Sequence, residues 1–224
     1  MKNLILILAR KNSIRLKNKN LVKLGQKKLI LWTIDFAKKF KKTCDILVST
    51  DDEKILKISR ENNILAPWLR PKKYAGSKSG SIHAVLHAIE WYQKNKNKIK
   101  TVILLQPTSP FRSVSFTKKA IDDFSVKNKI QSYVSVSPIK NLDSKKKNKD
   151  ILVNVENNLL TKKFSKKYNF FINGNLYLAS VNFLKKNKSF YSKDDKTKAL
   201  ILNAKKLSID IDTLDDLSTA KKYL

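Results

Sequence analysis

The stretch Leu4-Ile5-Leu6-Ile7-Leu8-Ala9-Arg10-Lys11-Asn12-Ser13-Ile14-Arg15-Leu16-Lys17-Asn18-Lys19-Asn20 decides the reading of the fold. It opens with a continuous apolar run, the mark of a strand buried on both faces. The run then breaks into a polar, basic loop. Parallel α/β sheets collect ligands at the carboxyl ends of their strands. A loop in that position can aim backbone N–H groups at phosphate oxygens. Arg10, Ser13, Arg15 and Lys19 add charge-assisted and hydroxyl donors. The loop has no glycine, so it is not a Walker P-loop. Its basic residues alone fit a polar surface loop equally well.

Apolar runs and amphipathic stretches alternate beyond this point. Residues 29–40 have helical spacing, 45–49 read as a strand, and 52–62 read as a helix opened by acidic residues that suit its dipole. A long helix is expected over 81–92 and a strand over 101–105, closed by Gln106-Pro107-Thr108-Ser109-Pro110. Residues 116–127 are helical and 132–136 form a strand. This alternation predicts an α/β fold, with a mostly parallel central sheet covered on both faces. Residues 141–149 are Lys-rich and read as an exposed loop, and 151–160 as a hairpin turning at Asn157-Asn158. Strands are expected over 173–179 and 206–211. Thr213 then opens a last helix, with Asp216 placed for a capping box.

At 224 residues and 42% hydrophobic, the chain suits one domain with a packed core. The net charge of +30 is spread over the whole length and accompanies many Asn, many Ile and only four Gly. That pattern reads as compositional bias, and no specific nucleic-acid partner is expected. Of 48 basic residues only five are arginine. Four of these, Arg10, Arg15, Arg70 and Arg112, stand beside candidate phosphate- or nucleotide-binding segments. A planar guanidinium offers a rigid fork that lysine cannot match, so the ligand is expected to be an anionic nucleotide. Arg60 reads as a solvated helix residue. A single cysteine, Cys44, excludes an internal disulfide and reads as packing. No stretch reaches the length of a membrane-spanning helix, and the chain reads as cytoplasmic with no membrane partner. His83 and His87 share a predicted helix face with Trp91 but lack further zinc ligands, so they are assigned to packing. Trp32 and Trp68 read as core or edge residues.

The opening loop resembles the signature A-R-x-x-S-K-x-x-P-x-K-N of the acylneuraminate cytidylyltransferases, which make CMP-activated sialic acids. Further matches follow in order. Val48-Ser49-Thr50-Asp51-Asp52 resembles V-S-T-D-D, and Arg70-Pro71 resembles R-P. Leu105 to Arg112 resembles L-Q-P-T-S-P-L-R. Asn173-Gly174 with Tyr177 resembles N-G-x-x-Y, and Ile209-Asp210-Ile211-Asp212-Thr213 resembles I-D-I-D-T. The likeness spans nearly the whole chain, and its specificity lies in the ordered combination.

The resemblance implies a three-layer, Rossmann-like nucleotidyltransferase domain over 1–224, with 141–169 as a projecting dimerisation segment and a homodimer as the assembly. It implies transfer of CMP from CTP to a sialic acid-like 2-keto-3-deoxy sugar acid, with release of pyrophosphate. Arg10, Asn12, Ser13, Arg15, Lys19, Asn20, Arg70 and Ser81 would bind the nucleotide. Gln106, Asn173 and Tyr177 would meet the sugar acid. Asp210 and Asp212 would hold Mg2+ and, with Arg10 and Lys19, serve catalysis. On a strand, carboxylates at i and i+2 face one side, so both can reach one site. Burial of Asp210 beside a lysine and helix capping by Asp212 are the alternative readings. The chain departs from the pattern at Ile14, where the family has lysine, at Lys17, where it has proline, and at Ser77 and 161–168, where its aspartate and its Arg-Gln stretch are missing. These departures point to a related but different sugar acid. The rival readings are a 3-deoxy-manno-octulosonate cytidylyltransferase, whose loop pattern shares Arg10, Ser13 and Arg15, and a non-catalytic nucleotide- or glycan-binding module.

Overall fold

The computed structural model describes residues 3–76, 80–126, 130–142, 152–161, 169–192 and 196–224. Among these residues ten strands run in chain order: β1 (Asn3–Ala9), β2 (Lys23–Leu24), β3 (Lys27–Lys28), β4 (Cys44–Thr50), β5 (Thr101–Leu105), β6 (Ser132–Pro138), β7 (Leu152–Glu156), β8 (Leu159–Thr161), β9 (Phe170–Ser180) and β10 (Thr197–Ile201). The helices are α1 (Leu29–Lys38), α2 (Glu53–Glu61), α3 (Ser81–Asn95), α4 (Val114–Val126), α5 (Val181–Asn187) and α6 (Leu214–Lys221).

Eight strands form one sheet in the order β4-β1-β5-β9-β6-β10-β8-β7. Alternate residues of its strands feed two cores, as the period of two requires. Ile5, Ile7, Ile46 and Val48 meet Ile30, Ile34 and Ala37 of α1 and Ile55 of α2 on one face. Leu4, Leu6, Leu47 and Leu104 meet Val85, Ala88 and Ile89 of α3 and Leu184 of α5 on the other. Helices therefore cover both faces, because strands apolar on both sides cannot leave either one wet.

The sheet is mixed, which corrects the expectation of a mostly parallel one. β1 runs parallel to β4 and β5, and β10 parallel to β6. β9 runs antiparallel to both β5 and β6. Strand–helix alternation holds only in the first half of the chain. The β7–β8 hairpin then reverses the path, with Asn157 and Asn158 at φ 49 and 61, as its tight turn demands. β9 pairs with β7 as well as β6, and β8 pairs with β10. These pairings close a circuit around Val134, Val136, Val153, Leu160, Ile172 and Ala199. Of the segment 141–169, residues 143–151 and 162–168 lie outside the described residues, and its hairpin pairs back onto β9 and β10. Most of the predicted 141–149 loop, Ser77 and most of the 161–168 stretch are likewise outside them.

The expected strand over 206–211 is instead a 3-10 turn, Lys205–Ser208, with an extended tail. The tail hydrogen-bonds the loop after β5, through Ile211 N–H to Thr108 O at 2.8 Å, so it never enters the sheet ladder. No described helix is long and apolar enough to cross a membrane.

Candidate active site

The carboxyl ends of β1, β4 and β5 open onto one cleft of about 410 Å³. That size falls within the range of small-molecule sites, roughly 300–1,000 Å³. Leu8 and Arg10 come from the end of β1, Arg70 from beside β4, and Gln106, Pro107 and Thr108 from the loop after β5. Lys19 and Asn20 reach it from the signature loop, Gly80 and Ser81 from the amino end of α3, and Asp210 and Asp212 from the extended tail. The predicted anion cradle and the late carboxylate pair thus converge, although 190 residues or more of chain separate Asp210 from Lys19 and Asn20.

The loop is folded by ties at both ends. The buried Asn20 side chain donates to Arg10 O at 2.9 Å, and Lys11 N–H donates to Asp51 Oδ1 at 2.9 Å. Asn18 takes the left-handed conformation, φ 53, that starts the turn carrying Lys19. Ile14, where the family pattern has lysine, is 84% exposed. Arg15 beside it turns inward, and its Nη2 donates to Asp212 Oδ2. Lys19 Nζ donates to the other oxygen, Asp212 Oδ1.

Arg70 is buried. Its Nε donates to Ser49 Oγ at 3.0 Å and its Nη2 to Ser49 O, which fixes it to the end of β4. Burial lowers its pKa to about 10, against the pull of Asp51 and helped by the like charge of Arg10. A desolvated cation beside another cation favours an incoming anion. The amino end of α3 adds a positive dipole end on the same side.

Asp212 does not cap the last helix. Thr213 does, its hydroxyl accepting from Asp216 N–H at 3.2 Å. Asp216 Oδ2 accepts from the N–H groups of both Asp212 and Thr213 at 2.9 Å. Asp210 and Asp212 both face the cleft while Ile211 between them is fully buried. The alternation expected of a strand therefore survives in an extended segment outside the sheet. Asp210 also sits close enough to Arg112 and Tyr177 to act on both: it supports the charge of Arg112 and opposes ionisation of Tyr177. Two carboxylates lining one cleft are a hard-oxygen donor set of the kind that suits magnesium.

Several expected residues stand elsewhere. Asn12 and Arg15 are exposed and Ser13 half-buried, and none of the three lines the cleft. Asn173 is buried, its amide accepting from Ser135 Oγ at 2.6 Å and donating to Ser137 Oγ at 2.8 Å. Tyr177 packs its ring on Phe190, and burial raises its pKa. Arg112 clamps backbone: Nε donates to Asn175 O at 3.0 Å, Nη2 to Gln106 O at 2.6 Å and Nη1 to Thr33 Oγ1 at 3.2 Å. His87 packs against Trp68 and Tyr74, with burial lowering its pKa. Tyr74 and Thr108 line the cleft and were not anticipated. Only Thr108 carried a signal, as part of the segment Gln106 to Pro110.

The family model described as Cytidylyltransferase matches residues 4–223. The chain is 36% identical over 232 residues to the CMP-N,N'-diacetyllegionaminic acid synthase of Legionella pneumophila, covering 100% of this chain and 97% of that protein. It is 33% identical over 136 residues to the N-acylneuraminate cytidylyltransferase of Escherichia coli, 61% of this chain and 31% of that one. The solved structure of CMP:2-keto-3-deoxy-manno-octonic acid synthetase complexed with CTP shares the fold, with a TM-score of 0.75 at 14% identity over 100% of this chain and 98% of that chain. The chain belongs to the cytidylyltransferase family of nucleotidyltransferase enzymes, and the resemblance of its ordered motifs to the acylneuraminate cytidylyltransferases leads to the same place.

Proposed function

We propose that the protein transfers CMP from CTP to a nine-carbon 2-keto-3-deoxy sugar acid of the legionaminic or sialic type, releasing pyrophosphate. The observation that carries this reading is the meeting of Arg10, Lys19 and Arg70 with Asp210 and Asp212 in one cleft. The name of the Legionella relative, which aligns with this chain from end to end, favours a legionaminic-type acid.

The cations of the cleft hold the triphosphate and spread its charge, which is most of the work in phosphoryl chemistry. The anomeric hydroxyl of the sugar acid attacks the α-phosphorus in line and gives up its proton to water. The bond from that phosphorus to the bridging oxygen breaks, and pyrophosphate leaves with the electron pair. Asp210 and Asp212 are the residues that would hold magnesium, which when bound neutralises charge on the α-phosphate and on the leaving group. Gln106, which lines the same cleft, would orient the sugar acid.

The test is an assay of CTP and Mg2+ with a panel of legionaminic, pseudaminic, N-acetylneuraminic and 3-deoxy-manno-octulosonic acids. Pyrophosphate release and the mass of the CMP-sugar are the readouts. A CMP-nonulosonate as main product is the expected result. A main product made from the eight-carbon acid overturns the substrate assignment. CTP binding without pyrophosphate release from any acid overturns the catalytic one.

A further inference from the structure

Both carboxylate oxygens of Asp212 are taken by cations from the signature loop, Oδ2 by Arg15 and Oδ1 by Lys19. The Asp212 main chain cannot retreat, because its N–H is held by Asp216 Oδ2 at 2.9 Å. The two cations sit on long side chains with several rotatable bonds each. Lys19 already lines the cleft beside Arg10 and Arg70, and Arg15, 42% exposed and outside the lining, pairs with Asp212, which is part of it. The neighbouring position, where the family pattern carries lysine, is Ile14, directed to solvent. The inward cation at this point in the loop is therefore Arg15.

We propose that Arg15 and Lys19 alternate between two anions: Asp212 in the free protein and the triphosphate when CTP is bound. The inference rests on the cleft being a CTP site. Its consequence is thermodynamic. A carboxylate already paired with two cations is a poor ligand for a divalent cation, through both competition and charge repulsion. Once the triphosphate draws Arg15 and Lys19 away, Asp212 is released as a hard-oxygen donor in the same cleft. Metal and nucleotide then promote each other's binding at this protein, and by linkage the effect is reciprocal. Arg15 is a positioning residue in this scheme as well as a phosphate ligand. It keeps the metal position closed until the nucleotide has arrived.

The test uses the intact protein and two probes, Mn2+ and CTP, read by electron paramagnetic resonance and by calorimetry. The substitution is Arg15→Gln, at a partly exposed position whose polar side-chain contact among the described residues is with Asp212. Without nucleotide, Arg15→Gln should bind Mn2+ about tenfold more tightly than the parent protein. In EDTA, the same variant should bind CTP more weakly. Opposite changes toward the two probes are not produced by general damage to the fold. In an Asp212→Asn background, Arg15→Gln should leave Mn2+ affinity unchanged. Unaltered or weaker Mn2+ binding by Arg15→Gln overturns the exchange while leaving the cytidylyltransferase reading intact. Failure of the parent protein to bind CTP at all removes both.

Discussion

Gly174 lies directly against the side chain of Gln106: a Cβ built on the glycine would stand 2.8 Å from Gln106 Oε1 and 3.3 Å from Ser109 Oγ. The glycine also has φ +77, a conformation that L side chains rarely adopt. Two independent constraints therefore oppose a side chain here. Replacement by alanine must strain the backbone and push the Gln106 amide off its present position. We expect Gly174→Ala to lower stability by about 1–2 kcal/mol. We also expect it to raise KM for the sugar acid several-fold, with KM for CTP nearly unchanged. Steady-state kinetics against each substrate, with a thermal melt as the fold control, would check both. An equal rise in the two KM values would mean that Gln106 does not orient the acid.

Arg112 completes the same construction from behind. It binds Gln106 O on one side of Gly174 and Asn175 O on the other, so it joins the loop after β5 to β9. Its guanidinium also reaches Thr33 Oγ1 and lies 5.7 Å from the Phe36 ring centroid. Burial lowers its pKa to about 9 and Asp210 opposes that change. Lysine cannot make three directed bonds from this depth. Arg112→Lys should cost about 2–4 kcal/mol, measured as a fall in the urea midpoint at constant m-value. A loss under half a kilocalorie would show that the clamp is dispensable.

The metal assignment predicts separable effects at the carboxylate pair. Asp212→Asn should reduce Mg2+-dependent turnover by at least about 100-fold. Because Arg15 and Lys19 lose their charged partner, the same change should tighten CTP binding in EDTA. Asp210→Asn should share the loss of turnover without that gain. Pyrophosphate release and calorimetry measure the two quantities independently. Full Mg2+-dependent turnover by Asp212→Asn would rule out a metal role for this residue.

The parts of this protein legible in sequence were those set by local pattern. β1, β4 and β5 are apolar on both faces, and the bare run of Leu4 to Leu8 announces that. The capping box at Thr213 and Asp216 was equally visible, because its spacing is its mechanism. The direction of β9 was not, since the β7–β8 hairpin and the neighbours on either side set it. The scarcity of arginine carries two meanings. A guanidinium fork suits phosphate, and it suits converging carbonyls equally well, so Arg112 drew the same inference as Arg70. Asn173 shows the related ambiguity of a polar residue in a buried strand, where Ser135 and Ser137 satisfy its amide from the neighbouring strand. The inward turn of Arg15 depends on Asp212, 197 residues away, and no local pattern encodes it.

On the opposite end of the sheet, the Tyr92 hydroxyl donates to Asp45 Oδ2, joining α3 to the start of β4. Burial chiefly, with Asp45 adding to it, pushes the Tyr92 phenol up to about 12. In the unfolded chain a tyrosine ionises near 10. Between pH 10 and 12 the folded protein therefore holds a proton that the unfolded chain has lost. The contribution of Tyr92 to stability is complete below pH 10 and disappears as pH rises through 12. Tyr92→Phe removes both the hydrogen bond and the titrating group. It should cost about 1 kcal/mol at pH 8, and its stability should fall less steeply than the parent's from pH 10 to 11.5. Urea unfolding followed by far-UV circular dichroism across that range gives both slopes. Parallel slopes would show that the phenol ionises alike in the folded and unfolded chains.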